Sequence, residues 1–271
     1  MSSNKSSSYK PLPLNSGKQE ISEDQLRFWN QQLNKLQNPE SIIQWALTTF
    51  EHIYQISALG LSGLAIIDLL TEKFPDYRVD CIFIDTLHHF PQTLDLVEKI
   101  KAKYYSNKHI SKFHIVKPQN VEDENSFAER YGKNLWETDD DRYDYFSKVE
   151  PLERAYQFYG IDIVITGRRQ SQGSSRASLP ILEYDQHNKV LKLNPFYNFT
   201  FSQISEIIEK NGVPTNELLE YGYRSIGDYH STLPSAGDDD SDERSGRWAN
   251  KKGKTECGIH QPERFAKFKE E

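Results

Sequence analysis

Cysteine is scarce: two residues, Cys81 and Cys257, in a chain of 271. That excludes a disulfide framework and makes a reducing, cytoplasmic compartment the natural expectation. Two isolated thiols also cannot supply the four thiolates of an iron–sulfur cluster. Long apolar runs are missing too. None approaches the roughly 20 residues that span a bilayer, so no membrane segment is expected. The opening Met1-Ser2-Ser3-Asn4-Lys5 has no apolar stretch, so no secretory signal is read there. Basic charge is outweighed, 33 Lys and Arg against 40 Asp and Glu, for a formal net charge of −7. This balance argues against general nucleic-acid binding but leaves room for a local basic pocket that takes a small polyanion. Aromatic bulk is plentiful: 15 Tyr, 14 Phe and 4 Trp supply material for one sizeable core.

Composition divides the chain in three. Residues 1–20, rich in Ser, Pro, Lys and Asn, are expected to be a mobile arm. Residues 21–234 read as an α/β domain. Ser22 with Gln25, and Asn38 before Pro39, are helix-start signals, and the apolar stripes behind them have helical spacing. Residues 53–56, 80–85, 113–116 and 161–166 read as strands, the last nearly continuous in β-branched residues, as in parallel sheets. Helices are expected between them over 64–74, 91–104 and 150–159, and a hairpin around Asp185-Gln186-His187-Asn188. The fold class predicted is α/β, a parallel twisted sheet flanked by helices. Residues 118–148, with Asp139-Asp140-Asp141, are expected to form a solvated insertion of short helices. Residues 235–271 are expected to be a flexible tail, because 235–253 are mostly Ser, Gly, Asp, Lys and Arg.

Three stretches carry chemistry. After the first strand comes Ser57-Ala58-Leu59-Gly60-Leu61-Ser62-Gly63, a Gly/Ser loop before a helix, which can offer backbone N–H groups to a phosphate. It matches neither the P-loop nor Gly-x-Gly-x-x-Gly. After the fourth strand, residues 167–176 carry Arg168, Arg169, Gln172 and Arg176, and guanidinium forks match tetrahedral oxyanions. The third is Lys254-Thr255-Glu256-Cys257-Gly258-Ile259-His260. A thiolate is a strong nucleophile; Lys254 and His260 are candidate cations that lower its pKa, and Glu256 acts against them. Cys81, inside a strand, reads as a buried structural thiol. His88-His89 lack partners at ligand spacing, so no metal is expected.

The cysteine motif, Ser57-Ala58-Leu59-Gly60, the stretch from Phe83 to Thr93, Thr166 to Arg176, and Gly222 to Thr232 occur in the order seen in the phosphoadenylyl-sulfate (PAPS) reductases. Over roughly residues 25–270 the chain resembles the fungal enzymes of sulfate assimilation. The resemblance implies an adenine-nucleotide α-hydrolase-like (Rossmann-like) fold, a homodimer, and reduction of PAPS to sulfite and adenosine 3′,5′-bisphosphate. Thioredoxin is the implied reductant, with no bound cofactor. By motif, Cys257 attacks the sulfonate sulfur to give S-sulfocysteine, from which a thioredoxin thiolate releases sulfite. Ser57 and Gly60 are then nucleotide-loop positions, and Asp85 and Thr86 line a strand end. Arg168, Arg169, Gln172 and Arg176 form an anion clamp, and a mobile tail delivers Arg244, Arg247, Lys254 and His260. Relatives that use adenylyl sulfate often hold a cluster on a Cys-Cys and Cys-x-x-Cys set, absent here, which by association favours the 3′-phosphorylated substrate. The ATP-pyrophosphatases show Ser-Gly-Gly-Lys-Asp-Ser where this chain has Ser57-Ala58-Leu59-Gly60-Leu61-Ser62; the missing Lys and Asp argue against ATP cleavage. A cluster-free adenylyl-sulfate reductase and a non-catalytic nucleotide sensor stay open as alternatives.

Overall fold

The computed structural model describes residues 11–36, 38–235, 243–251 and 253–268. It opens with an antiparallel ribbon, β1 (Pro11–Pro13) and β2 (Glu20–Ser22). Residues 11–20 therefore depart from the expected arm. Leu12 and Leu14 are buried, and the Ser16 N–H and hydroxyl donate to the Asp162 carboxylate at 2.9 and 2.8 Å. Two leucines placed in the core outweigh the polar composition from which an arm was expected. Residues 1–10 lie outside the described residues. Ser22 caps α1 (Glu23–Leu33) and Asn38 caps α2 (Pro39–Thr49), each accepting from a backbone N–H three residues on.

Strands and helices then alternate: β3 (Ile53–Ile56), α3 (Leu61–Lys73), β4 (Asp80–Ile84), α4 (Pro91–Tyr104) and β5 (Phe113–Val116). The insertion follows with α5 (Glu124–Tyr131), α6 (Leu135–Thr138) and α7 (Asp140–Asp144). A π-helical turn, Tyr145–Val149, leads into α8 (Glu150–Tyr159), which stops at Gly160 in the left-handed region. Then come β6 (Ile163–Ile165), the hairpin β7 (Leu182–Asp185) and β8 (Val190–Leu193), and α9 (Phe201–Lys210). The sheet order is β5-β4-β3-β6-β8-β7, all parallel except β7 against β8. This is the predicted fold class.

Both sheet faces are covered, as its apolar strands require. Ile53, Cys81, Phe83, Ile163 and Ile165 join the cluster that includes α3, α4 and α9, while Ile82, Val164 and Val190 meet Leu152, Ala155 and Tyr156 of α8. Helix α3 starts at Leu61, earlier than the expected residue 64. The small Ser62 and Gly63, read as loop, form its first turn against the loop after β6. A Cβ added at Gly167 would stand 2.8 Å from the Gly63 nitrogen. The winding reverses between β3 and β6, where an α/β sheet opens its crevice.

The insertion is not simply solvated. Phe127, Leu135, Tyr143, Tyr145, Phe146 and Val149 form a satellite core that Phe265 and Phe268 of the tail complete. Asp139 caps α7, Asp140 is ion-paired with Lys251 and Lys254, and Asp141 meets Arg264 at 2.5 Å. The acidic triplet, read as surface, is where the tail docks. The described tail residues are accordingly held against the domain, with Glu243 and Trp248 buried. Asp238-Asp239-Asp240 lies outside the described residues. No helix among those described is long and apolar enough to cross a membrane.

Candidate active site

A cavity of about 250 Å³ occupies the crevice between the β3 and β6 loops. On the β3 side, the Ser57 hydroxyl accepts the Leu59 N–H at 3.0 Å, and Leu59 sits at φ 57°. Gly60 is the N-cap of α3 and contributes no side-chain cap, so first-turn N–H groups stay available to an anion. On the β6 side the loop is tied down by its own polar groups. The Thr166 hydroxyl donates to Asn194 at 2.5 Å, and the buried Arg168 pairs with Glu183. Arg169, 1% exposed, donates to Ser62 at 2.7 Å and to Ser171 at 2.7 Å, and pairs with Glu243 of the tail. Gln172 accepts from the Arg169 N–H at 3.1 Å and donates to Glu243 at 2.8 Å.

The tail closes the remaining side. Arg244, Arg247, Trp248, Glu256, Cys257 and His260 all line the cavity. Arg247 stacks over the Trp248 ring at 4.4 Å, with Arg244 and Lys254 further out around the same ring. Cys257 is half-buried and free. Gly258 follows at φ 84°, with the Phe265 ring where a Cβ would stand, so only glycine suits the turn beyond the thiol.

Electrostatics set the charge states. Burial works against the Lys148 ammonium, but Asp144 and Asp228, each 2.7 Å away, hold it above its ordinary range, and the Cys257 sulfur adds to them. Burial would raise the Asp228 carboxyl, yet Lys148 keeps it far below the carboxylate range. Asp228 also accepts from the Thr86 hydroxyl at 2.6 Å and the Tyr143 hydroxyl at 3.0 Å. Burial, then Arg176, pushes Arg244 down to about 10, still protonated at neutral pH. Burial, reinforced by Arg168 and Lys192, pushes His260 well below its usual value, so its imidazole is neutral there. Among the described residues, no group of three or more His, Cys, Asp and Glu is placed to hold a metal ion.

Residues 52–234 match the family model for the phosphoadenosine phosphosulfate reductase domain. The chain belongs to the phosphoadenosine phosphosulfate (PAPS) reductase family. It is 53% identical over 251 residues to the phosphoadenosine phosphosulfate reductase of Saccharomyces cerevisiae, covering 92% of this chain and 94% of that one. The crystal structure of PAPS reductase from Candida auris in a phosphate complex aligns with a TM-score of 0.70 at 45% identity, over 79% of this chain and 98% of that one. FMN adenylyltransferase from Candida glabrata shares the fold alone, with a TM-score of 0.54 at 18% identity, over 82% and 72% of the two chains.

In this PAPS reductase family member the structure gathers eleven of the thirteen expected site residues around the cavity: Ser57, Gly60, Thr86, Arg168, Arg169, Gln172, Arg176, Arg244, Arg247, Cys257 and His260. Two stand apart. The Asp85 carboxylate accepts the Leu87 N–H at 2.9 Å, turning the chain after β4. Lys254, expected as a cation beside the thiol, is committed to Asp140 and Asp144. His260, the other expected cation, is in place but neutral. The Cys257 sulfur favours the charged forms of Lys148 and Arg244. Sequence reasoning missed Lys148 and Asp228 as site residues. Lys148 sits in a helical run with no local motif, and its partners Asp144 and Asp228 come from two distant segments. The signal available was Asp228 within the glycine-punctuated stretch 222–230.

Proposed function

We propose that the chain reduces PAPS to sulfite and adenosine 3′,5′-bisphosphate, with thioredoxin as reductant and S-sulfocysteine at Cys257 as intermediate. The observation that carries this reading is that Cys257 lines one cavity with the open N-terminus of α3 and the arginine loop after β6. The Cys257 thiolate attacks the sulfonate sulfur, the bond from sulfur to the phosphate oxygen breaks, and the nucleotide leaves with that electron pair. Cationic side chains of the cavity stabilise the charge on the departing phosphate. A thioredoxin thiolate then attacks Sγ of Cys257 and sulfite leaves. The second thioredoxin thiol resolves the mixed disulfide, restoring Cys257 and leaving oxidised thioredoxin. Thioredoxin supplies both electrons, so the scheme needs no bound cofactor. The tail swings Cys257 from the closed position to one that thioredoxin reaches.

The test is a sulfite-release assay run with PAPS and, beside it, adenylyl sulfate. Wild type given PAPS without thioredoxin should gain one sulfonate on Cys257 by mass spectrometry. Cys257→Ser should bind adenosine 3′,5′-bisphosphate yet release no sulfite. Sulfite from the serine variant would overturn the covalent route, and activity with neither substrate would leave the chain a nucleotide-binding sensor.

A further inference from the structure

Arg176 belongs to the expected anion clamp, yet each nitrogen of its guanidinium already donates to the chain itself. Its Nε and Nη2 donate to the two oxygens of Glu256 at 2.6 and 2.8 Å, and its Nη1 donates to Gln172 at 2.5 Å. Glu256 is buried, 6% exposed, which alone would raise its carboxyl, but Arg176, with Arg244 and Arg168, holds it below the usual carboxylate range. The Ser175 hydroxyl adds a contact at 3.3 Å, and Arg244 reaches the same carboxylate at 3.4 Å and the Thr255 carbonyl at 2.7 Å.

We propose that Glu256 and Arg176 are a positioning pair that sets Cys257 over the cavity, and that Arg176 does not serve as a phosphate ligand. What the position serves rests on the reductase reading; the pair's hold on the thiol does not. A two-point fork fixes orientation as well as distance, and Cys257 is the next residue along the chain. Its other flank is fixed by Gly258 against the Phe265 ring. Arg176 stands on the loop that leaves β6, so the thiol is referenced to the sheet. Gln172 touches both Arg176 and Glu243, joining this tie to the second one, between Glu243 and Arg169. A misplacement of about 1 Å in a reacting group can cost on the order of a hundredfold in rate.

Wild type, Glu256→Gln, Glu256→Asp, Arg176→Gln and the Glu256→Gln/Arg176→Gln double variant should be compared by three readouts. These are kcat and KM for sulfite release, affinity for adenosine 3′,5′-bisphosphate, and the rate at which iodoacetamide alkylates Cys257 in the ligand-free protein. Breaking the pair from either side should lower kcat by about tenfold or more, with nucleotide affinity held within about twofold. Alkylation should quicken severalfold, the double variant should be no worse than a single, and the aspartate should recover part of the loss. Should Glu256→Gln fail to fold, Arg176→Gln still breaks the pair. Nucleotide affinity about tenfold weaker in Arg176→Gln, with alkylation unchanged in both singles, would return Arg176 to the ligand and overturn the proposal; additive losses would also overturn it. A wild type that releases no sulfite would refute the reductase reading, while the alkylation rates would still decide the pair.

Discussion

His230 stacks on Trp136 with ring centroids 4.3 Å apart, and among the described residues neither ring nitrogen has a hydrogen-bond partner. Burial pushes its pKa from 6.5 down to about 3, against the opposing pull of Asp228. The unfolded chain therefore takes up this proton first, and stability falls as pH drops from about 6.5 toward 3. Each pH unit in that window costs up to about 1.4 kcal/mol. Burial shifts His88 and His260 in the same direction. The melting temperature should decline between pH 7 and 5, and His230→Phe should flatten part of the decline. Parallel profiles for variant and wild type would contradict this account. Cys81 poses a separate test of burial, which pushes its thiol up to about 12. Iodoacetamide should label Cys257 alone in the native protein and both cysteines after unfolding; native labelling of Cys81 would count against the core assignment.

At the scale of elements, strands and helix caps were the most legible because their signals are local. Ser22 and Asn38 each cap the helix their sequence announced, and α4 and β5 have the bounds that periodicity gave. The insertion has the short helices expected of it, but its burial could not be read from the sequence, for a physical reason. Its apolar residues find their cover in Phe265 and Phe268, and its acidic residues find their countercharges in Lys251, Lys254 and Arg264, all over a hundred residues away. No window along the chain contains both halves of that contact. The candidate site divides in the same way: glycine and arginine loops at strand ends could be read locally, whereas the Lys148–Asp228 pair could not. The docking has a direct check. Removing a buried aromatic ring costs about 3–5 kcal/mol where it is fully packed. Phe265→Ala should thus free residues 243–268 to proteolysis at least about tenfold faster, with the sheet's melting temperature near that of wild type. An unchanged digestion pattern would mean that the ion pairs suffice.

For the whole molecule, the satellite core makes insertion and tail one structural unit beside the sheet. A chain shortened after Pro234 should keep the protected amides of β3, β4 and β6 in hydrogen exchange and should still bind adenosine 3′,5′-bisphosphate, more weakly without Arg244 and Arg247. Its insertion amides, having lost Phe265 and Phe268, should exchange markedly faster. Full protection of residues 124–149 in that chain would show that the insertion stands alone. The same docking also has a place in time. The β3–β6 pairing that builds the crevice joins residues as far apart in the chain, Ile53 with Ile163, as the ion pairs of Asp140 and Asp144 with Lys251 and Lys254, so loop length does not order the two. Dependence does: the tail docks on surfaces that earlier segments must first assemble, Asp140 and Asp144 of the insertion and Arg169 and Arg176 of the loop after β6. Refolding should therefore pass through a stage in which the crevice between β3 and β6 is built and Cys257 is still outside it; on the proposed function, nucleotide binding then returns before sulfite release, and the thiol is the last part of the candidate site to arrive.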